Sequence, residues 1–201
     1  MDIEDEHKRH LIAMRGMLQG LGYFVALDAL ELIRLLESGF RKDGKTPRFD
    51  HQLSIARILC TLLPHLLYPE EVIACCFLHD LLEDHPEWTF ELLEARFGRR
   101  IANAVWALSK KSNGMVKTPE RYYGDLANCP IASLVKVGDR IHNQLTMKGV
   151  FTPEKQQAYL KETEEHIFPM IRTARRQFPK QFPAYENLKY FLRVEEALLK
   201  E

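Results

Sequence analysis

Residues 73–84 read IACCFLHDLLED, an apolar run that ends in four ionisable side chains within six residues. The run carries no Gly or Pro that would break a helix, so it predicts a helix that is buried on nearly all sides and ends in charge. On a 3.6-residue period, His79 faces Glu83, and Asp80 faces both Glu83 and Asp84. Three adjacent carboxylates repel one another unless a cation lies among them. The pattern therefore favours a metal site.

The alternative is that residues 79–84 are only the polar end of a core helix. The carboxylates would then be solvated and His79 would be hydrogen-bonded to its surroundings. A His-Asp pair alone would favour this alternative, because the dipeptide is common. Polar positions elsewhere in the chain weigh against it.

Length and composition limit the class of protein to which the chain can belong. The 201 residues fit one domain with a sizeable core, and Lys+Arg and Asp+Glu balance at 28 each, which gives no global positive field. We therefore expect a small-molecule substrate, no nucleic-acid partner and no membrane partner, and the oligomeric state stays open. The chain shows neither a secretion signal nor a bilayer-spanning run. Its four cysteines show no C-x-x-C spacing, which predicts reduced thiols in the cytoplasm.

Helical periodicity recurs almost throughout the chain and strand-like alternation is scarce, which indicates an all-α fold. The pattern predicts helices over residues 23–38, 51–62, 69–84, 89–97, 101–108, 131–148, 153–178 and 187–200. Residues 110–119 are polar and predict a surface connection, with an entrance loop as the alternative. We expect a single domain over residues 1–201, with a core of about 20–178 and a C-terminal helical extension over 179–201.

A second polar group lies on a later predicted helix. Asp139, Asn143 and Thr146 stand at i, i+4 and i+7 and so share one helix face directly after an apolar run, as residues on a pocket wall would. The structural alternative is an ion pair of Asp139 with Arg140 or Arg48 and a capping role for Asn143. The two interpretations are about equally supported by this stretch alone.

His51 completes a set of metal-ligand residues. His51, His79, Asp80 and Asp139 would supply two imidazoles and two carboxylates from three helices. Such mixed ligation suits Mn²⁺, Fe²⁺, Zn²⁺ or Ni²⁺ better than Mg²⁺ or Ca²⁺.

A metal at this position would support hydrolysis of a phosphoester. It would lower the pKa of its bound water and neutralise charge on a phosphoryl group. Glu83 and Asp84, one turn further on, would orient or deprotonate the nucleophile.

Three motifs then occur in a fixed order. They are RKDG at 41–44 before His51, HDLLED at 79–84 and VKVGDRIHN at 135–143. Together they resemble the hydrolase domain of RelA/SpoT proteins, within the HD-domain metal phosphohydrolases, and the likeness extends over about residues 23–169. The resemblance implies an HD-domain helical bundle that uses Mn²⁺, or another divalent transition metal, to hydrolyse the 3′-pyrophosphate of guanosine tetra- or pentaphosphate alarmones.

The resemblance also implies roles for particular residues. They are metal ligands His51, His79, Asp80 and Asp139; a catalytic acidic pair, Glu83 and Asp84; and nucleotide contacts from Arg41, Lys42, Asn143 and Thr146. The guanidinium of Arg41 would stack on a base, and the ammonium of Lys42 would meet phosphate. No synthetase segment is expected to follow. Among the histidines outside this set, His65, His85, His142 and His166 lack a ligand-spaced carboxylate partner, and we expect each of them at the surface or behind the ligands.

The chain departs from the family pattern at three places. Gln52 follows His51 where proline is usual, the segment over 44–51 is one residue longer, and Gly138 replaces a common alanine. None of these removes an expected ligand, but the altered loop adjoins the base-recognition residues. Two alternatives therefore stay open: hydrolysis of another nucleotide, such as a deoxynucleoside phosphate, and a nucleotide sensor without turnover. The intact acidic pair argues against the sensor.

Overall fold

The all-α fold expected from the sequence is confirmed. The computed structural model describes residues 3–37, 39–40, 44, 46–112 and 114–199. The α-helices in these ranges are α1 (Ile3–Leu21), α2 (Phe24–Leu36), α3 (Asp50–Cys60), α4 (Pro69–Leu78), α5 (Leu81–Asp84), α6 (Phe90–Phe97), α7 (Arg99–Leu108), α8 (Pro119–Ala127), α9 (Ala132–Met147), α10 (Pro153–Glu162), α11 (Phe168–Gln177) and α12 (Phe182–Leu199). Strands β1 (Lys111–Ser112) and β2 (Met115–Val116) form a short antiparallel hairpin between α7 and α8.

Helix α4 lies at the centre of the bundle, in contact with α2, α3, α7 and α9. Every residue from Val72 to Leu78 is buried, as the continuous apolar run predicts. Removing each large apolar side chain from water contributes roughly 1.5–3 kcal/mol, so this helix anchors the core. None of the helices described above is long and apolar enough to cross a membrane.

The central helix ends at Leu78, and the prediction of one continuous helix to Asp84 is wrong. The backbone of His79 is still helical, but Asp80 has φ −99° and ψ 0°, which lies outside the α-helical region. The amides of Glu83 and Asp84 both donate to the carbonyl of Asp80, at 3.0 and 2.9 Å, so a new turn begins there. The break changes the directions of the ionisable side chains, and a single helical wheel does not describe them.

Two further helices were not predicted. Helix α1 packs on α2 and α3 and buries Met14 and Leu18. Helix α8 begins with Pro119, and the hydroxyl of Thr118 accepts a hydrogen bond from the amide of Arg121. Both signals, apolar residues four positions apart and a Thr-Pro start, are present in the sequence.

A π-helical turn interrupts the helix predicted over 153–178. Helix α10 is followed by the π turn Thr163–Ile167 and then by α11. The C-terminal helix α12 begins at Phe182 rather than at Asn187 and packs against α9 and α11.

Two helices approach closely where the candidate site forms. A β-carbon at Gly138 of α9 would lie 3.1 Å from Cγ2 of Ile55 on α3 and 3.6 Å from Cγ of Leu59. The missing side chain therefore lets α9 come close to α3. This approach brings the start of α3, which carries His51, near Asp139.

Candidate metal centre and cleft

Three buried side chains from three helices converge beside a cleft. His51 at the start of α3, His79 after the end of α4 and Asp139 in α9 each place a potential ligand atom within 4.8 Å of the others. Nε2 of His51 lies 3.2 Å from Oδ1 of Asp139, and the ring centroids of His51 and His79 are 5.2 Å apart. These are three of the four ligands expected from the sequence.

The environment of His79 fits a metal. Its Nδ1 lies 3.0 Å from the carbonyl oxygen of Cys76, which leaves Nε2 as the ligand atom. This Nε2 is buried and makes no hydrogen bond with the residues described, although Oδ2 of Asp80 lies 3.0 Å away. A cation held between the imidazoles and carboxylates would bind this nitrogen in place of a proton.

Asp80 lies at the edge of this group. Its side chain is 42% exposed and lines the cleft, whereas the other three side chains are buried. Its carboxylate contacts His79 but stands outside the three-residue cluster. Asp80 is thus placed to face both a metal and the cleft.

The charges of the site attract a cation. Burial alone would lower the pKa of His79, but the carboxylates of Asp80 and Asp139 outweigh it and raise the pKa to about 9. Burial would raise the pKa of Asp139, but Lys136 and the two imidazoles hold it well below its usual range. Nζ of Lys136 lies 2.8 Å from Oδ2 of Asp139. A proton or a metal ion can meet this negative potential, and the two compete for the same nitrogen atoms.

Asp84 lies on the cleft wall. Burial and the nearby carboxylates of Asp80 and Glu37 raise its pKa, against the opposing effect of Arg48 and His85. Nη2 of Arg48 is 3.4 Å from Oδ2 of Asp84, and Nε of Arg48 is 2.9 Å from Oε2 of the buried Glu37. A carboxylate with a raised pKa holds a proton more strongly than an ordinary one, which suits a general base.

Of the other predicted site residues that the structure describes, only Thr146 lines the cleft. Glu83 does not join Asp84 on the cleft wall, since its carboxylate accepts a hydrogen bond from the backbone amide of Lys110. Nδ2 of Asn143 donates to Oδ1 of Asp139 at 2.6 Å. Thr146 lines the cleft, and its hydroxyl donates to the carbonyl one turn earlier. The remaining two, Arg41 and Lys42, lie outside the described residues.

His142 lies behind His51, one of the two positions expected for it. It is buried and lines the cleft, with its Nδ1 2.8 Å from Nδ1 of His51. It follows Asp139 by three residues, a spacing that returns to within about 60° on a helix. Lys136 precedes Asp139 by the same interval, so the i±3 spacing was the signal that could have identified both.

The cleft has a volume of about 570 Å³, within the range of small-molecule sites. Its lining combines the charged Asp80, Asp84 and Arg48 with the aromatic rings of Phe40 and Phe151. Charged groups beside aromatic surfaces suit a ligand that has both phosphate groups and a flat base.

Comparisons with known proteins agree with this geometry. A family profile described as the HD domain matches residues 29–118. The guanosine-3′,5′-bis(diphosphate) 3′-pyrophosphohydrolase of Haemophilus influenzae is 31% identical over 142 residues, which cover 67% of this chain and 20% of the relative. The protein of the same name from Aquifex aeolicus is 35% identical over 136 residues, 65% of this chain and 18% of the relative.

A shorter relative comes from Xenopus tropicalis. This guanosine-3′,5′-bis(diphosphate) 3′-pyrophosphohydrolase MESH1 is 33% identical over 119 residues, 57% of this chain and 63% of the relative. The chain therefore spans about a fifth of the length of the bacterial relatives and less than two thirds of the Xenopus relative.

Proposed function

The chain belongs to the HD-domain family, and on this premise we propose that it hydrolyses the 3′-pyrophosphate of guanosine tetra- or pentaphosphate in a metal-dependent reaction. The products would be GDP or GTP and pyrophosphate. The buried group of His51, His79 and Asp139 beside the cleft carries the proposal. The names of the relatives support the choice of substrate.

We assign His51, His79, Asp80 and Asp139 as ligands of a divalent metal, with Mn²⁺ as the proposed ion. A set of two imidazoles and two carboxylates suits Mn²⁺. When bound, such a metal neutralises phosphoryl charge and makes water more acidic. With neutral imidazoles, the two carboxylates, the Lys136 ammonium and a divalent ion leave one net positive charge, which favours an anionic substrate.

We propose that Asp84 accepts the proton of the attacking water. The water oxygen forms a bond to phosphorus while the bond from phosphorus to the ribose 3′ oxygen breaks, and the 3′ oxygen takes up a proton from solvent to leave as a hydroxyl group. The raised pKa of Asp84 makes it a stronger base than an ordinary carboxylate. Glu83 supports this step by positioning Asp84, because its hydrogen bond with the Lys110 amide fixes the short helix that carries Asp84.

We assign the nucleotide contacts from the positions of the side chains. Thr146 lines the cleft, and Asn143 orients Asp139 through its hydrogen bond. The roles of Arg41 and Lys42 rest on their motif. A cytoplasmic location is also part of the proposal, and it is supported by the four free thiols of Cys60, Cys75, Cys76 and Cys129.

A second candidate substrate is another phosphorylated nucleotide. The segment before α3 departs from the family pattern, and it places Arg48 on the cleft wall in contact with Asp84. A guanidinium there can select among phosphate arrangements, because it binds oxyanions in a fixed planar geometry. The cleft could then prefer a nucleotide other than an alarmone.

The test is product analysis on purified protein supplied with Mn²⁺. Guanosine tetraphosphate and a panel of ordinary ribo- and deoxyribonucleotides are offered separately, and the products are separated by ion-exchange chromatography. We expect GDP and pyrophosphate from the alarmone alone. Asp80→Ala should abolish product, and Glu87→Gln, which changes an exposed carboxylate, should leave it intact.

The other outcomes distinguish the alternatives. Turnover of other nucleotides without turnover of the alarmone would keep the metal centre and replace the substrate. Thermal stabilisation by nucleotide without any product would identify a sensor. Circular dichroism of Asp80→Ala shows whether a loss of product is caused by misfolding.

A further inference from the structure

A second cluster of metal-ligand side chains joins α1 to α3. His7 and His10 are one turn apart on α1 and share a helix face, and Asp50 is the first residue of α3. Nδ1 of His7 lies 2.7 Å from Oδ1 of Asp50. One potential ligand atom from each of the three residues lies within 4.8 Å of the others.

The cluster is largely shielded from solvent. The side chains of His7 and Asp50 are 14% and 12% exposed. Nε2 of His7 is buried and makes no hydrogen bond within the described part of the chain. The two nitrogens of an imidazole face in different directions, so an ion held between His7 and Asp50 would bind Nδ1, the nitrogen that faces the carboxylate.

The chemistry of the three donors selects a class of ion. Two imidazoles and one carboxylate suit borderline divalent metals such as Zn²⁺, Co²⁺ and Ni²⁺, and three protein ligands leave positions for water. The cluster shares no residue with the group of His51, His79 and Asp139. Although Asp50 precedes His51, their ligand atoms fall into two separate groups in the structure, so we treat them as two sites.

We propose that His7, His10 and Asp50 form a second divalent-metal site, which fastens α1 to α3 at the rim of the cleft. Binding replaces the proton that His7 and Asp50 share in their hydrogen bond. His7 and Asp50 both line the cleft, so the ion holds α1 in place where a ligand enters. This site does not depend on the proposed hydrolase activity.

The test is metal stoichiometry on the full chain, without an affinity tag that contains histidine. Metal-free protein is titrated with Zn²⁺ by calorimetry, and its metal content is then measured after gel filtration. We expect two equivalents in the wild type and one in both His7→Gln and His10→Ala. His65→Ala, which removes an exposed histidine outside both clusters, should still bind two.

The assignment to this cluster can be overturned in two ways. A single equivalent in the wild type that is lost in Asp139→Asn and kept in His7→Gln would show that His7 and Asp50 form a hydrogen bond only. Two equivalents in both His7→Gln and His10→Ala would place the second ion elsewhere.

Two controls accompany the metal titration, one for folding and one for the other metal group. Circular dichroism establishes that each variant is folded. Asp139→Asn should lose the other equivalent and keep this one, so failure of the proposed metal centre and failure of this site give different results.

Discussion

Arg48 is a single side chain that joins three parts of the cleft wall. It contacts the carboxylates of Glu37 and Asp84, and Glu37 also lies 3.1 Å from Nε2 of His85. Arg48 opposes the rise in the pKa of Asp84. Its position in the segment that departs from the family pattern makes it a residue by which this chain can differ from its relatives.

Replacing Arg48 should change the pH dependence of hydrolysis. Without the guanidinium the pKa of Asp84 rises further, so the acidic limb of the kcat/KM profile should move to higher pH in Arg48→Ala. We expect a shift of roughly half a pH unit, because both side chains are about half exposed and screened by solvent. Arg48→Lys keeps the charge and should leave the limb near its wild-type position. Equal shifts in both variants would contradict this role.

The sequence predicted those site residues that are identified by their type as metal ligands. His51, His79 and Asp139 were expected to meet, and they do. Lys136 was missed because burial, rather than residue type, places it beside Asp139. Glu37 was missed because nothing in its local sequence distinguishes a buried acid at a helix end from a solvated one. The roles of the predicted residues remain proposals.

At the scale of elements, the contact between α3 and α9 sets the spacing of the proposed ligands. In Gly138→Ala the gain in helix propensity, about 1 kcal/mol, is opposed by the contact of the new methyl group with Cγ2 of Ile55. Gly124→Ala in α8 meets no atom within 4 Å and should show the gain alone. We therefore expect Gly124→Ala to stabilise the protein more than Gly138→Ala does, as measured by urea unfolding.

A double-mutant cycle isolates the contact itself. Ile55→Leu removes the branch methyl at Cγ2, so Gly138→Ala should be more favourable in that background by roughly 0.5 kcal/mol or more. Additive effects would show that the helices move apart to accept the methyl group without cost.

Glu162 connects four elements through one carboxylate. Nη2 of Arg140 lies 2.5 Å from Oε2, Nζ of Lys110 lies 3.1 Å from Oε1, and the hydroxyl of Tyr123 donates to Oε1. The guanidinium of Arg140 is only 3% exposed. Loss of the carboxylate would leave this charge buried beside the π turn.

Glu162→Gln should therefore destabilise the protein by roughly 2–4 kcal/mol near neutral pH. Burial would raise the pKa of Glu162, but Arg140, Tyr123 and Lys110 outweigh it and hold the pKa at about 2. The stabilisation is complete above the ordinary pKa of 4.5 and is lost as the pH falls towards 2. The difference between wild type and variant in urea midpoint should narrow over that range. A difference that does not vary with pH would contradict this explanation, and Glu165→Gln is the exposed control.

The elements themselves were predictable where the chain is strongly periodic. Helices α3, α6, α7 and α9 lie within a few residues of their predicted ranges. The break at Asp80 could not be predicted, because no Gly or Pro marks it and a periodic pattern contains no tertiary contacts. The π turn at Thr163–Ile167 did have a signal, since Pro169 lacks the amide that would bond the carbonyl of Glu165 in a regular helix.

At the scale of the whole molecule, the packing of α12 buries a carboxylic acid. Glu195 lies on the buried face of α12 with Leu188 and Leu192. Its Oε2 makes no hydrogen bond within the described ranges, and burial raises its pKa from 4.5 to about 8. The native state therefore keeps a proton that the unfolded chain releases between these pH values.

Stability should fall as the pH rises from about 4.5 to 8, because the unfolded state binds fewer protons over this window. Glu195→Gln removes this dependence and should unfold at higher urea than the wild type near pH 8. The expected gain is roughly 1–3 kcal/mol, and it should be smallest near pH 5. Equal stability of the two proteins at both pH values would show that water reaches the carboxyl group.

The two adjacent free thiols at the centre of the bundle can be used to measure unfolding. Cys75 and Cys76 are fully buried in α4, whereas Cys60 and Cys129 are half-buried. An alkylating reagent attacks the thiolate, which burial suppresses at the two central cysteines by raising the pKa of each thiol. Labelling of these two neighbours in the intact chain therefore records how often the whole bundle opens. Mass spectrometry can read that frequency directly in a cell extract, without purification or a fluorescent probe.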